Sequence, residues 1–176
     1  KPMKKLINFI QFQAVWFLCI FGAAHQFELM AILISVGIIA WAILTSEHRM
    51  HDYVIGLIAV IIGVALDSLL ISQNLITFTT AYWTSMAPLW MTPIWIALAL
   101  TLQSSMSWLS GRYLLAGVLG AISGPFAYWA GVRMGAGVFP DFVTAMICLS
   151  VIWLIITPAL FYLSSLLKAR HVHSSN

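Results

Sequence analysis

Charged residues next to or within apolar segments are the ones in this sequence whose placement points to chemistry. Asp67 lies in the apolar run IIGVALDSLLIS, where a charged side chain costs about 2.5 to 3.5 kcal/mol on membrane-insertion scales. Arg133 lies just beyond another apolar segment, and an ion pair with Asp67 would account for both residues. His25, Glu28 or Asp141 would extend this pair, and His25 is able to titrate near neutral pH. We therefore predict a substrate-binding or proton-handling site around Asp67. The alternatives are an ion pair that only joins two helices, or an Asp67 side chain that reaches water.

Aromatic residues are expected to line this site. Trp90 and Tyr128 lie near the same ends of their apolar segments as Asp67 and Arg133, and Tyr82 lies in the connection 72–86 on that side. Two further tryptophans, Trp16 and Trp95, lie well inside apolar segments, where an indole packs between helices and needs a partner for its N–H group.

A second polar set lies toward the opposite ends of the apolar segments, and it consists of Gln11, Gln13, Gln103, Ser104, Ser105 and Ser107. Amides and hydroxyls in lipid commonly form hydrogen bonds across helices, each worth about 0.6 to 2 kcal/mol. The favoured interpretation is therefore structural. If both polar sets faced one interior, they would instead mark a polar track for a transported substrate.

The sequence gives little support for a metal site or a cofactor site. The loop EHRMHD offers His48 and His51, but metal ligation needs three or four converging ligands, so a solvated turn is expected. Cys19 and Cys148 are single thiols within apolar segments, where a thiol behaves as a small apolar residue. The sequence contains no P-loop, no G-x-S-x-G, no H-E-x-x-H and no C-x-x-C. We predict no metal and no cofactor.

The composition determines the kind of solvent around these residues. Of 176 residues, 62% are apolar and 7% are charged, whereas soluble domains use roughly a quarter of their residues for charge. The mean hydropathy is +0.99. The 8 basic and 5 acidic residues form no basic face for nucleic acid. The chain is therefore predicted to be an integral membrane protein that does not bind nucleic acid.

Six segments are apolar and long enough for spanning helices, which need about 20 residues each. They run approximately over residues 6–24, 27–45, 53–71, 87–109, 113–131 and 142–167. None shows the alternation of apolar and polar residues that a transmembrane β-strand requires. We predict an all-α, polytopic bundle of six transmembrane helices forming a single integral membrane domain over residues 1–176.

The basic residues predict the orientation of this bundle. With six helices, seven of the 8 basic residues lie on the side of the termini, and Arg133 alone lies on the other. Cytoplasmic loops carry an excess of Lys and Arg, so both termini are predicted to be cytoplasmic. The chain would then be a multi-pass membrane protein with both ends on the cytoplasmic side.

Two local features carry further expectations. Residues 72–86 are uncharged and are expected to lie along the outer interface, or to re-enter the membrane around a cavity. Ala116, Gly120 and Gly124 form a small-residue row that favours close helix packing. Because Pro125 follows Gly124, the fifth helix is the one most expected to break and expose backbone groups to a substrate, but a structural kink without a ligand is the favoured interpretation.

Three segments resemble a known group of proteins: NFIQFQAVWFLCIFGAA (residues 8–24), PIWIALALTLQSSMSWL (93–109) and GPFAYWAG (124–131). They are similar to an uncharacterised family of small bacterial six-helix inner-membrane proteins, a domain of unknown function. The resemblance covers nearly the whole chain, with motifs of moderate specificity. Genes of this family often lie near genes resembling cyclopropane-fatty-acid synthases, photolyases and flavin-dependent oxidases. By association, the resemblance implies a role in modifying or protecting membrane lipids, and it implies no catalytic residue.

These observations favour a non-enzymatic protein that binds or transports a small or lipid-like substrate. The alternatives are a membrane-embedded enzyme of fatty-acyl or lipid modification and a scaffold that holds a lipid-modifying enzyme at the membrane. Membrane lipids are the expected partners in each case, an enzyme partner belongs to the scaffold alternative, and an oligomer is compatible with all three.

Overall fold

The computed structural model describes residues 2–80 and 85–174 as a bundle of α-helices. In chain order these helices are α1 Pro2–Ala24, α2 Glu28–Leu44, α3 Arg49–Ser72, α4 Met91–Thr101, α5 Tyr113–Arg133 and α6 Phe142–Ser174. The prediction of an all-α bundle with six helices is confirmed over these residues.

The helices differ in length, and this affects how many can cross a membrane. By length and composition, α1, α3, α5 and α6 are long and apolar enough to cross. With 17 residues in α2 and 11 in α4, these helices are about 25 Å and 16 Å long, less than the hydrocarbon core of about 30 Å. The chain is therefore a membrane protein with four helices of full spanning length, and six crossings stay a prediction.

The expected helix over residues 87–109 is wrong in its second half. α4 ends at Thr101, turns follow, and a short 3₁₀ helix spans Ser107–Leu109. Asn8 of α1 stabilises this break: its amide donates to the Leu100 carbonyl at 3.1 Å, and its oxygen accepts from the Ser105 backbone N–H at 3.2 Å. A helix can end inside an apolar bundle when side chains satisfy its free backbone groups in this way.

The break considered at Gly124 and Pro125 does not occur, because α5 continues as one helix through both residues to Arg133. A proline inside a helix removes one backbone hydrogen bond, and in this bundle close packing against α6 supports the helix on both sides of it. A Cβ at Gly120 would overlap Thr157, and a Cβ at Gly124 would overlap Trp153. The small-residue row therefore provides the close helix contact that its spacing predicts.

A two-stranded antiparallel ribbon joins the loops at one end of the bundle. β1 Thr77–Phe78 pairs with β2 Gly137–Val138, so that the connection after α3 contacts the connection after α5. The sequence analysis did not predict this ribbon, because two-residue strands carry no periodicity. Part of the segment 72–86, residues 81–84, lies outside the described residues, and the segment's relation to the membrane stays a prediction.

In the described part of the chain, each helix packs on its neighbours around the bundle, except that α1 and α5 do not pack on each other. α5 packs on α6, α6 on α3, α3 on α4, α4 on α1, and α1 on α2. No comparable packing joins α1 to α5 among the described residues. The facing sides of α1 and α5 therefore border a cleft, and α4 lies at its base.

Candidate functional site

A fully buried carboxylate, Asp67 of α3, is held by hydrogen bonds from two neighbouring helices. The Trp95 indole N–H of α4 donates to one carboxylate oxygen at 2.8 Å, and the Tyr128 hydroxyl of α5 donates to the other. Both donors are aromatic side chains with an apolar ring and one polar atom, which suits a polar contact inside an apolar bundle. Asp67 therefore links α3 to α4 and α5 without a cationic partner among the described residues.

Two stacked indole rings form the support behind this contact. Trp95 and Trp153 lie parallel, with ring centroids 5.3 Å apart and an interplanar angle of 7°. A Cβ at Gly63 of α3 would overlap the Trp95 ring, just as one at Gly124 would overlap Trp153. The two glycines therefore make room for the stacked rings between α3 and α5, with Tyr128 edge-on to Trp153 at 6.4 Å.

The cleft between α1 and α5 has a volume of about 660 Å³, within the range of about 300 to 1,000 Å³ that is usual for small-molecule sites. α1 contributes one helix face at three- and four-residue spacing: Phe9, Phe12, Gln13, Trp16, Phe17 and Ile20. Five of the 8 tryptophans border it, namely Trp16, Trp90, Trp95, Trp129 and Trp153. Its walls are therefore predominantly apolar and aromatic.

Few polar side chains interrupt these walls. Gln13 lies on the α1 side, Ser123 and Tyr128 lie on the α5 side, and Arg133 borders the end nearest the ribbon. Asp67 does not border the cleft itself, and its carboxylate reaches the wall through Tyr128 and Trp95. An apolar cleft with a few placed polar groups suits an elongated, mostly apolar ligand.

The expected ion pair between Asp67 and Arg133 is absent from the part of the chain that the structure describes. α5 meets Asp67 at Tyr128, and Arg133 lies five residues further along, about 7 Å by helix rise and on another face. Both oxygens of Asp67 are already engaged. Arg133 is exposed and borders the cleft instead.

The remaining predicted site residues are dispersed. His25 is exposed and stacks on Phe21 with ring centroids 4.1 Å apart. Glu28 begins α2 close to His25 in the chain, and neither residue borders the cleft. Trp90 does border it, and its indole N–H donates to the Thr80 hydroxyl at 2.8 Å. Tyr82 lies outside the described residues.

Asp141, the other acid considered for this site, begins α6 as an N-terminal cap. Its carboxylate accepts from the Thr144 hydroxyl at 2.7 Å and from the Thr144 backbone N–H at 3.2 Å. These hydrogen bonds favour the charged form and lower the pKa of Asp141 below its ordinary value. Asp141 is therefore engaged within its own helix.

A second polar network lies at the opposite end of the bundle and corrects the expectation of a solvated EHRMHD turn. His51 is only 4% exposed; its Nδ1 lies 3.1 Å from Asp52 Oδ1, and its Nε2 lies 3.1 Å from the Ser164 hydroxyl oxygen of α6. The Gln103 amide donates to the same hydroxyl at 3.0 Å, and Lys168 donates to Gln103 at 3.4 Å. The turn differs from the expectation because α3 already begins at Arg49, which directs His51 into the bundle.

Much of the second polar set also forms interhelix hydrogen bonds. Ser105 contacts Asn8, Gln103 contacts Ser164, and Ser107 accepts from Lys5 at 3.0 Å. Gln13 is the member that borders the cleft. Among the side chains described, those of residues 2–80 and 85–169, no three His, Cys, Asp or Glu residues converge as a metal site.

Sequence reasoning missed Trp129 and Trp153 as wall residues and Trp95 as the partner of Asp67. It did place Trp95 between helices with a need for an N–H partner, and the hydrogen bond to Asp67 meets that need. The sequence feature that could have indicated the contact between Asp67 and Trp95 is Gly63, which lies one helical turn before Asp67 on the same face. Such a glycine marks where a large side chain from another helix can approach.

The apolar helices, with a buried polar contact beside an apolar cleft, define a helical membrane protein with a small-molecule type of cavity. The chain belongs to the family described as protein of unknown function (DUF2878), whose model matches residues 5–159. The resemblance to an uncharacterised family is thereby confirmed. No curated protein and no solved structure matches the chain.

Proposed function

We propose that this protein binds, or binds and transports, an elongated lipid-like molecule in the cleft between α1 and α5. The observation that carries the proposal is the cleft itself, about 660 Å³ in volume with apolar and aromatic walls. Clefts of this size between the helices of a bundle are usual ligand sites.

The arrangement of the walls favours a chain over a compact polar ligand. On α1 the lining extends from Phe9 to Ile20, a stretch of about 16 Å along the helix. Polar groups occur singly along the walls, so they can orient a ligand but cannot replace the hydration shell of a strongly polar one. The Tyr128 hydroxyl is engaged with Asp67, which holds the α5 wall at a set distance from α3.

The enzyme alternative requires a reactive group at the cleft surface. Asp67 lies behind Tyr128 and Trp95, and the His51 network lies at the far end of the bundle, with neither residue bordering the cleft. Binding or transport therefore accounts for the cleft with fewer assumptions. The scaffold alternative gains no specific observation.

The proposal includes a location. Both termini would lie in the cytoplasm of a bacterium, with six crossings of the inner membrane, because seven of the 8 basic residues lie on the terminal side. Membrane lipids would be the immediate partners and the source of ligands. The wide exposure of apolar side chains such as Leu114, at 82%, is consistent with a lipid surround.

Quenching of tryptophan fluorescence by a brominated chain tests binding, because five tryptophans border the cleft. The probe is dibromo-octadecanol, added to the full-length protein in zwitterionic nanodiscs. Specific binding is expected as a saturable component near one probe per protein, in addition to the linear quenching of lipid-exposed tryptophans such as Trp41.

A matched pair of neighbouring substitutions locates that component. Ser123 is exposed and borders the cleft, whereas Ile122 is exposed and does not border it. We expect Ser123→Phe to remove the saturable quenching and Ile122→Phe to retain it, with thermal midpoints of both variants close to that of the unaltered protein. Quenching that is only linear in the unaltered protein, or that survives Ser123→Phe, contradicts the proposal.

A further inference from the structure

Arg133 is the one charged side chain that borders the cleft within the described part of the chain. It forms no hydrogen bond or ion pair with another described residue. Two acids that sequence reasoning grouped with it are engaged elsewhere: Asp67 accepts from Trp95 and Tyr128, and Asp141 accepts from Thr144. A guanidinium at the end of an apolar cleft is therefore left for a group outside the protein.

We propose that the ligand of the cleft is an anionic amphiphile whose carboxylate or phosphate head is held by Arg133. This inference rests on the proposed function and adds the chemical class of the ligand. The planar guanidinium offers paired N–H donors that match the oxygens of a carboxylate or a phosphate. The apolar chain would then extend along α1 from Ile20 toward Phe9.

Two general effects favour a basic residue at the end of α5, but neither explains why the Arg133 side chain borders the cleft. A cation at the C-terminus of α5 is favoured by the helix dipole, and a long basic side chain near a helix end reaches toward lipid headgroups. Neither effect requires the side chain to border the cleft. Met134 and Ala136 also border it there, so the arginine lies among apolar wall residues.

The test compares two probes with one chain and different heads, dibromostearic acid and dibromo-octadecanol, by saturable tryptophan quenching in zwitterionic nanodiscs at a pH where the acid is ionised. We expect the acid to bind about tenfold or more tightly than the alcohol, as is usual for one charge-assisted contact. Arg133→Gln should remove this preference and leave the affinity for the alcohol unchanged, whereas Arg133→Lys should retain part of it.

Arg112→Gln is the matched control, because Arg112 is exposed at the other end of α5 and does not border the cleft. It should leave both affinities unchanged.

Equal binding of acid and alcohol to the unaltered protein would overturn the inference while leaving the proposed function intact. An equal loss of both probes in Arg133→Gln would overturn it too, since the arginine would then be structural. Displacement of the acid by inorganic phosphate at similar concentration would indicate a free-anion site and would likewise overturn it. Absence of saturable binding by either probe would contradict the proposed function itself.

Discussion

At the scale of single residues, Asp67 illustrates how a carboxylate is held inside an apolar bundle by aromatic donors, with no cationic partner among the described side chains. Its two oxygens satisfy the Trp95 N–H and the Tyr128 O–H, two donors that would otherwise be buried without acceptors. An unsatisfied buried donor costs about 1 to 3 kcal/mol, so the contact matters as much for its donors as for its acceptor.

Asp67→Ala is therefore expected to lower the free energy of unfolding by about 2 to 5 kcal/mol, because both donors lose their acceptor. Asp67→Asn should cost clearly less, since its oxygen can accept from Trp95 while its amide donates to the Tyr128 oxygen. Unfolding of the purified protein in mixed micelles by denaturing detergent measures both values.

Glu47→Gln is a suitable control for that experiment, because Glu47 contacts Lys4 at 2.6 Å in an exposed ion pair. Exposed pairs of this kind contribute about 0 to 1 kcal/mol. An Asp67→Ala variant as stable as Glu47→Gln would show that the two donors find other acceptors.

Asp141 provides a prediction about pH at a site outside the helices' apolar interior. Because hydrogen bonds from Thr144 lower its pKa in the folded protein, the cap contributes fully above the ordinary carboxyl pKa. The contribution is lost as the pH falls through the lowered value. Thr144→Val removes the hydroxyl donor and should raise the pKa of Asp141, measured by carbon-13 NMR of its carboxyl group. Thr79→Val is the control, since Thr79 contacts the ribbon end and not Asp141; a shift of equal size in that variant would contradict the assignment.

At the scale of secondary-structure elements, the glycines decide how close the helices lie. Gly63 and Gly124 lie against Trp95 and Trp153, the stacked pair that fills the space between α3 and α5. Gly37 of α2 offers a contrast, because nothing lies within 4 Å of a Cβ built on it. Helical glycines in one bundle therefore differ in whether they serve packing.

Gly63→Ala and Gly124→Ala are each expected to destabilise the protein by about 1 to 3 kcal/mol, the usual cost of overfilling a packed core. Gly37→Ala should be neutral or slightly stabilising, because alanine has the higher helix propensity. The thermal midpoints of the three variants in one detergent provide the comparison. If Gly37→Ala lowers the midpoint as much as the other two, the loss reflects helix glycines in general and not the stacked indoles.

The elements also show what could be predicted from the sequence. Hydropathy predicts where the helices lie, because burial in lipid requires apolar runs of a certain length. It does not predict that α4 ends at Thr101, since the break depends on Asn8 from a distant part of the chain. The ribbon between residues 77–78 and 137–138 depends in the same way on which loops meet.

At the scale of the whole molecule, the order of neighbouring helices explains which of the contacts expected for Asp67 form and which do not. Asp67 stands out in the sequence because charge is costly in lipid, and charges can be counted. The hydrogen-bond partners of Asp67 could not be predicted in this way, because a tryptophan or tyrosine becomes a partner only when helix packing brings it close to the carboxylate. Arg133 was the nearest opposite charge by sequence reasoning, but α5 approaches α3 at Tyr128, about one and a half turns earlier.

Contacts at the two ends of the bundle bear on the path of the chain. One end holds Lys4 against Glu47, Asn8 against Ser105, and the His51 network with Ser164. The other end holds the ribbon between the connections after α3 and α5. Between the ribbon and Ser105, the chain therefore passes from one end to the other, although α4 provides only 11 helical residues of that path.

Single-cysteine labelling with a membrane-impermeant reagent in intact cells tests this path, with Cys19 and Cys148 replaced by alanine. Six crossings place Gln26, Asn74 and Pro140 on the outer side, and these positions are expected to be labelled. Arg49 and Gly111 belong to the side of the termini, and they should be labelled only after the cells are permeabilised. Gly111 is the decisive position, because its side depends on whether the short α4 and the turns after it complete a crossing. If Gly111 is labelled in intact cells like Asn74, this segment does not complete a crossing, and that result would contradict the packing in which Gly111 and the ribbon between residues 77–78 and 137–138 lie at opposite ends of the bundle.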